Sequence, residues 1–237
     1  MRPFTHEHAV LAVAATATVF GAVTERPRVQ QVAKPLIATA LAVRVARQWR
    51  REGLEASDAV PLLLGLGAAA VGDVFMLDPD DDSRILRGAS SFAVMQASYS
   101  WLLGRHGARA HPAAVLPRVA ASGAVAALLA VRAPEIAAPL AAYGVTLVRT
   151  STLSADPALS PASPLIAGFP VPSPADPRSW LAAGGMVFAL SDGMIAVRRT
   201  LLRGEHARRL TEGVILATYA LAQVMIVEGI LAVAHKK

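Results

Sequence analysis

The chain has 237 residues, of which 54% are hydrophobic and 17% charged, with a net charge of +6 and no cysteine. Soluble domains carry about a quarter charged residues, so this composition favours an integral membrane protein. The lack of cysteine excludes disulfides, thiolate catalysis and Cys-ligated metal, and the positive charge, which forms no basic stripe interleaved with aromatic residues, suits anionic lipid headgroups rather than nucleic acid.

Eight apolar segments approach the length of about 20 residues that crosses a bilayer. They are continuous rather than alternating, which indicates helices. The sequence therefore predicts an all-α, polytopic membrane helix bundle of about eight transmembrane helices, with the first segment as an uncleaved span rather than a signal peptide. The segments are 8–24, 30–46, 59–77, 88–104, 113–131, 134–150, 179–198 and 212–234.

The connections between these segments are mostly short, which predicts that sequential helices run antiparallel. One long connection, 151–178, contains seven prolines and is predicted to be an extended or disordered loop. We find no internal repeat, so residues 1–237 are interpreted as one integral membrane domain. Arginine and lysine are distributed almost evenly between the two sets of loops, with Arg105, Arg109 and Arg118 assigned to the fourth, and leave the orientation open.

Polar residues inside the predicted spans fall at similar depths. In an alternating topology the first, third, fifth and seventh loops share one face, and the polar positions of four helices lie towards that face. Gln96, Tyr99 and Tyr143 lie nearer the middle and could line the same cavity. Polar side chains at membrane depth usually face the bundle interior and carry function. The predicted polar layer on the odd-loop side consists of Lys34, Asp73, Ser191, Asp192, Tyr219 and Gln223.

Helical spacing supports a shared site and leaves structural alternatives open. Tyr219 and Gln223 are four residues apart and share a helix face, as do Gln96 and Tyr99. Lys34 could instead form a buried ion pair with either aspartate, or extend to the membrane interface. The two glutamines could merely hydrogen-bond across helices, and the tyrosines could be packing residues with satisfied hydroxyls.

Several catalytic and metal-binding patterns are missing. All six histidines fall at segment ends or in loops, so a buried Ser-His-Asp triad containing Ser191 is not expected. There is no H-E-x-x-H motif and no Walker loop, and we predict neither a metal nor a cofactor. The acidic loop with Asp78, Asp80, Asp81 and Asp82 is interpreted as a solvated loop, with binding of a divalent cation or an amine headgroup as the alternative.

An ordered set of short motifs resembles the YhhN-like membrane proteins, the lysoplasmalogenases, through most of the chain. Each motif is weak alone, and the set is more specific than its members. Relatives often carry a histidine in the fourth helix where this chain has Gln96. The motifs are Lys34-Pro35-Leu36, Gly72-Asp73, Phe92 with Gln96 and Tyr99, Gly184 with Phe188, Ser191-Asp192 and Ala196, and Tyr219 with Ala222-Gln223.

The resemblance implies a membrane hydrolase that cleaves the vinyl ether of a lysoplasmalogen to a fatty aldehyde and glycerophosphoethanolamine or glycerophosphocholine. That reaction needs a proton donor for the alkene carbon and a negative group beside the oxocarbenium ion, as in two-carboxylate glycoside hydrolysis. Either Asp73 or Asp192 would be the general acid, and the other would stabilise the cation. Lys34 would hold the ionised carboxylate or the lipid phosphate. The predicted substrate-binding residues are Lys34, Gln96, Tyr99, Tyr143, Ser191, Tyr219 and Gln223.

Two other functions remain open from the sequence. The protein could hydrolyse or transfer groups on a different lipid, or it could be a small transporter or lipid-binding membrane protein that uses the same polar cavity. The abundance of Ala, Arg and Pro is typical of bacterial proteins encoded by DNA rich in G and C. We therefore expect a multi-pass protein of a bacterial cell membrane, in contact with the bilayer and a lysophospholipid, in an oligomeric state that is left open.

Overall fold

The structure, a computed structural model, describes residues 6–78 and 80–235, and the side chains of residues 6–8, including two of the histidines, lie outside that description. Its described residues form eight α-helices, each overlapping one predicted segment with ends that differ by at most seven residues, so the prediction of an all-α helical bundle is confirmed. The helices are α1 His6–Val23, α2 Pro27–Arg51, α3 Ala56–Phe75, α4 Asp82–Arg105, α5 Pro112–Arg132, α6 Pro134–Leu153, α7 Trp180–Thr200 and α8 Glu205–Ala234.

Local sequence explains several helix ends. Proline opens α2, α5 and α6, where its missing N–H would have no helical partner and its fixed φ suits the first turn. By length and composition, four helices are apolar enough to cross a membrane: α3, α5, α8, and α7 together with the turn before it. The same criterion finds the shorter apolar stretch Ala9–Val23 in α1.

Ion pairs between loops show that the helices alternate in direction. On one face, Asp80 after α3 binds Arg208 near the start of α8 at 2.6 Å, and Arg209 binds Glu25 after α1 at 2.9 Å. The first, third and seventh loops therefore share a face, as the alternating topology predicts. On the opposite face, Asp156 after α6 accepts from the backbone N–H of Arg109 after α4 at 2.6 Å.

The acidic loop before α4 is tied into this arrangement rather than merely solvated. Asp80 also binds Arg198 at 3.2 Å, and Asp82 binds Arg199. Asp81 is the N-cap of α4 and accepts from the backbone N–H of Arg84 at 2.9 Å. That hydrogen bond, with a second from Ser83, holds the pKa of the Asp81 carboxyl below its usual range.

The proline-rich segment 151–178 is mostly a loop, but it contains regular structure that the expectation of an extended or disordered loop did not include. Its first residues complete α6, and the rest contains two short 3₁₀ turns, Pro157–Leu159 and Pro177–Ser179, and a hairpin of β1 Leu165–Ile166 with β2 Phe169–Pro170. Both hairpin turn residues have positive φ, 51° and 83°, as type I′ turns require. Prolines here fix turns instead of preventing structure.

Packing is uneven around the bundle. The principal core is formed mainly by α2, α3, α4 and α8, and 67% of the apolar stretch of α8 is buried. The corresponding share in α5 is 17%, and its buried residues are Ala114, Arg118 and Leu129. Because α5 packs loosely, a cavity is left between it and α4, α6 and α7.

Candidate functional site

The cavity between α4, α5, α6 and α7 has a volume of about 470 Å³. Small-molecule sites typically span about 300–1,000 Å³ and are mostly apolar with a few polar groups. This one follows the pattern, since leucines, alanines, valines and methionines form most of its wall. Polar and charged side chains interrupt the wall at Arg118, Ser122, Tyr143, Ser151, Asp192 and Arg199.

Asp192 and Tyr143 form a hydrogen-bonded pair on the cavity wall. The Tyr143 hydroxyl on α6 donates to Oδ2 of Asp192 on α7, and both residues line the cavity. Ala189, Gly193 and Ala196, which have small side chains, line it too. Asp192 therefore borders an apolar space beside small side chains that leave room for a ligand.

Gln96 is buried on α4 near the Tyr143 hydroxyl. Its side chain interacts with the Tyr143 hydroxyl, but neither polar atom makes a hydrogen bond of regular geometry among the described residues. A buried amide whose donors and acceptor are poorly satisfied costs free energy, so Gln96 has hydrogen-bonding capacity to spare close to the pair. The structure thus brings three of the predicted site residues together: Gln96, Tyr143 and Asp192.

Asp73 belongs to a second polar cluster, in the principal core. Its Oδ2 accepts from the Tyr219 hydroxyl at 3.0 Å, and Gln223 Nε2 donates to the Tyr219 oxygen at 3.2 Å. The Gln223 carbonyl oxygen accepts from Tyr99 at 3.0 Å. All four side chains are buried. The predicted shared face of Tyr219 and Gln223 is confirmed, and the chain of hydrogen bonds joins α3, α4 and α8.

Lys34 is buried beside this cluster and does not extend to the membrane interface. Its ammonium group donates to the backbone carbonyl of Met76, just after α3, at 2.8 Å. Asp73 and Glu212 lie close enough to attract it electrostatically. The contact with a carbonyl at the end of a helix holds α2 against α3.

Phe92 on α4 connects the two clusters. Its ring lines the cavity and packs edge-on against Tyr219, with ring centroids 5.8 Å apart and planes at 75°. The ring also lies on Gly72, where a Cβ atom would be 2.9 Å from Cε2 of Phe92. The two aspartates therefore occupy different environments: Asp192 lines the cavity, whereas Asp73 is not among the lining residues.

Ser191 faces away from the cavity although it precedes Asp192. Its buried hydroxyl donates to the backbone carbonyl of Ile215 on α8 at 2.9 Å. Neighbouring residues on a helix point about 100° apart, since 3.6 residues complete one turn. In this structure Ser191 joins α7 to α8. It is not among the cavity-lining residues, so no contact with the cavity supports its predicted role in binding substrate.

Comparison with family models gives one match, to the YhhN family, over residues 29–230. The chain belongs to the YhhN family. Searches of curated proteins and of solved structures give no match. The matched region contains both polar clusters and the cavity-lining residues, while the whole of α1 precedes it. Membership of the YhhN family and the four long apolar helices together indicate a membrane protein.

Four polar or charged cavity residues of this YhhN protein were missed from sequence: Arg118, Ser122, Ser151 and Arg199. Arg118 is only 6% exposed and lines the cavity, but its charge was assigned to the fourth loop. Its position inside the predicted span 113–131 was the signal, because an arginine within an apolar run is rare and usually functional. Chemically, the cavity thus offers one carboxyl group, one phenol and two guanidinium groups on a mostly apolar wall, and of the two arginines Arg199 is paired with Asp82.

Proposed function

We propose that this YhhN family protein is a multi-pass membrane hydrolase that cleaves the vinyl ether bond of a lysoplasmalogen. The products are a fatty aldehyde and glycerophosphoethanolamine or glycerophosphocholine. The observation that supports the proposal is the Asp192 carboxyl on the wall of an apolar cavity, with its Oδ2 held by Tyr143. An alkenyl chain can lie along such a wall with its double bond beside a proton donor.

Asp192 is the general acid in this proposal. An apolar surrounding favours the neutral form of a carboxyl group, which can then donate a proton. Because Tyr143 occupies Oδ2, the proton resides on Oδ1. The proton moves to the alkene carbon that is not bonded to the ether oxygen. The electrons of the double bond form the new C–H bond. The ether carbon becomes an oxocarbenium ion, and the carboxylate left on Asp192 stabilises it.

Water completes the reaction. It adds to the oxocarbenium carbon and returns a proton to Asp192, which restores the acid. The hemiacetal then breaks its bond between that carbon and the glycerol oxygen, so that the oxygen leaves protonated and the carbon becomes an aldehyde. One water is consumed for each bond cleaved, and no oxidant, reductant or metal is required. Gln96, beside Tyr143 with hydrogen-bonding capacity to spare, is the residue we propose to orient the water.

Asp73 is a positioning residue in this proposal. Its carboxyl binds Tyr219, and Tyr219 packs against the Phe92 ring that forms part of the cavity wall. Tyr99 and Gln223 extend the same hydrogen-bonded chain. These residues would hold the wall against the lipid rather than contact the reacting atoms, and Lys34 would secure the neighbouring end of α3.

The test is aldehyde release by purified protein in neutral detergent, with a lysoplasmalogen as substrate. In D₂O the aldehyde should carry one deuterium on the carbon next to its carbonyl, because that carbon receives the transferred proton. Asp192→Asn should lower the rate by about 10²–10⁴-fold, the usual contribution of a general acid. Asp58→Asn is the matched control. Asp58 is also a buried aspartate, but it lies at the start of α3, away from the cavity, and binds His106.

Other results would contradict the proposal in distinct ways. Full activity in Asp192→Asn would remove Asp192 from the mechanism. Fatty acid release from an ester lysophospholipid, without aldehyde from the vinyl ether, would identify a hydrolase of another lipid. Lipid movement across liposome membranes without any product would indicate a transporter.

A further inference from the structure

Arg118 is a buried cation that has no charged partner in the described part of the chain. Its Nη1 donates to the backbone carbonyl of Ala114, one turn back on α5, at 2.9 Å. Its guanidinium carbon lies 5.6 Å from the centre of the Phe169 ring in the hairpin of segment 151–178. Its Nε is buried and has no hydrogen-bond partner. No carboxylate among the described residues forms an ion pair with it.

This arrangement is unfavourable unless an anion completes it. A buried charge usually has an oppositely charged partner, because transfer out of water costs several kcal/mol. The ring of Phe169 offsets part of that cost through a cation–π contact, and one carbonyl satisfies one donor. Arg118 lines a cavity whose wall is otherwise mostly apolar. Arg44, the other buried arginine among the described residues, has Glu228 as its partner, with 2.7 Å between Nη2 and Oε2.

The position of Arg118 relates it to the proposed reaction centre. Ser122, one turn further along α5, lies against Gly144 of α6, where a Cβ atom would be 2.8 Å from the Ser122 hydroxyl oxygen. Because Gly144 follows Tyr143 in α6, Ser122 lies at about the same height along the helices as the Tyr143–Asp192 pair. Four residues of helix rise roughly 6 Å, and the Arg118 side chain extends further towards the start of α5. The cation and the pair thus lie at successive levels of one cavity.

We propose that Arg118 binds the phosphate of a single-chain phospholipid whose chain occupies the cavity. This inference rests on the proposed function and adds the group that recognises the substrate headgroup. In a lysophospholipid five bonds separate the phosphorus from the oxygen at the 1-position, a span comparable to one helical turn. Arginine suits this role because its planar donors match phosphate oxygens. Lys34, which the sequence offered for either the ionised carboxylate or the lipid phosphate, binds the backbone carbonyl of Met76 and is not among the cavity-lining residues.

The test measures binding without turnover. Asp192→Asn protein in neutral detergent is titrated with two probes of the same chain length: a 1-O-alkyl-glycerophosphoethanolamine, which has no vinyl ether to cleave, and a 1-O-alkylglycerol, which has no phosphate. The phosphate-bearing probe should bind about tenfold to hundredfold more tightly, as expected for hydrogen bonds to a charged group. Adding Arg118→Gln should remove that preference, and Arg118→Lys should restore part of it.

Arg132→Gln is the matched control, because Arg132 is an exposed arginine at the other end of the same helix; it should keep the full preference. Equal binding of the two probes to Asp192→Asn protein would overturn the inference, even if Arg118→Gln does not fold. Competition by glycerophosphoethanolamine or inorganic phosphate as strong as by the lipid probe would show a site for free phosphate and would equally overturn a lipid site.

The two proposals fail separately. Aldehyde release by the wild type without phosphate-dependent binding would contradict the role of Arg118 and leave the hydrolase standing. Phosphate-dependent binding that requires Arg118, without aldehyde release, would retain the headgroup site and contradict the hydrolase.

Discussion

The Tyr143 hydroxyl on α6 donates a hydrogen bond to Asp192 Oδ2 on α7, at the wall of the cavity. This bond fixes one oxygen of the carboxyl group of a residue that lines the apolar space. The pair differs in this respect from Asp73 and Tyr219, which make a similar contact at 3.0 Å inside the principal core. The four predictions below separate the two pairs and test the packing around them.

Tyr143→Phe is expected to impair catalysis more than stability. The substitution removes the hydrogen bond that orients Asp192 but keeps the ring, and both residues border a cavity rather than a sealed core. We expect kcat for aldehyde release to fall about tenfold or more, with a KM close to that of the wild type. Steady-state kinetics in detergent would measure both constants. An unchanged kcat would show that the orientation of Asp192 does not depend on Tyr143.

Tyr219→Phe is expected to have the opposite effect. It removes the only hydrogen bond that Asp73 accepts among the described residues, and the carboxyl remains fully buried. An unsatisfied buried acceptor costs about 1–3 kcal/mol, so the thermal unfolding temperature should fall. Activity per folded molecule should change less than in Tyr143→Phe. A stable Tyr219→Phe protein with no activity would assign Tyr219 a direct role in the reaction.

Gly72→Ala should disturb the cavity wall. A methyl group at this position would lie 2.9 Å from the Phe92 ring, so the ring must move against Tyr219 or into the cavity, and overpacking of this kind costs about 1–3 kcal/mol. Gly67→Ala on the same helix is the control, because no atom lies within 4 Å of its added Cβ. It should be neutral or more stable by up to about 1 kcal/mol. Equal melting temperatures for the two variants would contradict the contact with Phe92.

Arg44→Met should destabilise the protein strongly. Arg44 on α2 and Glu228 on α8 form a buried ion pair with two hydrogen bonds. Loss of one partner leaves a buried charge and costs about 3–5 kcal/mol. The double variant Arg44→Met/Glu228→Met should recover most of that loss, since an apolar pair of similar size removes both charges. Unfolding in detergent would measure the cycle, and additive losses in the double variant would contradict this account.

The depth of the polar residues in the helix bundle was predictable from sequence. Counting residues from the loops put Asp73 and Tyr219 at the same level, and their hydrogen bond confirms that they meet. The count succeeds because each residue of a helix adds the same rise and because short loops make neighbouring helices antiparallel. The spacing of Tyr219 and Gln223 correctly predicted a shared face for the same reason.

The direction in which each side chain points around its helix was harder to predict from sequence. Ser191 and Asp192 were predicted as one polar pair, but Ser191 bonds to α8 and Asp192 lines the cavity. Gln96 and Tyr99 share a face by spacing, yet Tyr99 contacts Gln223 while Gln96 lies near Tyr143. Such differences depend on which neighbouring helix covers each part of the surface, and that is not encoded in the residue spacing of one helix.

By itself the sequence determined the helices, their approximate ends, their alternation and the level of each polar group, because these follow from local hydrophobicity, proline positions and the fixed rise of a helix. Tertiary structure alone decided that the two aspartates separate, that Phe92 stands at their junction and that Arg118 lines the cavity. Those features depend on contacts between helices distant in the sequence, where the loose packing of α5 leaves space that close packing elsewhere removes.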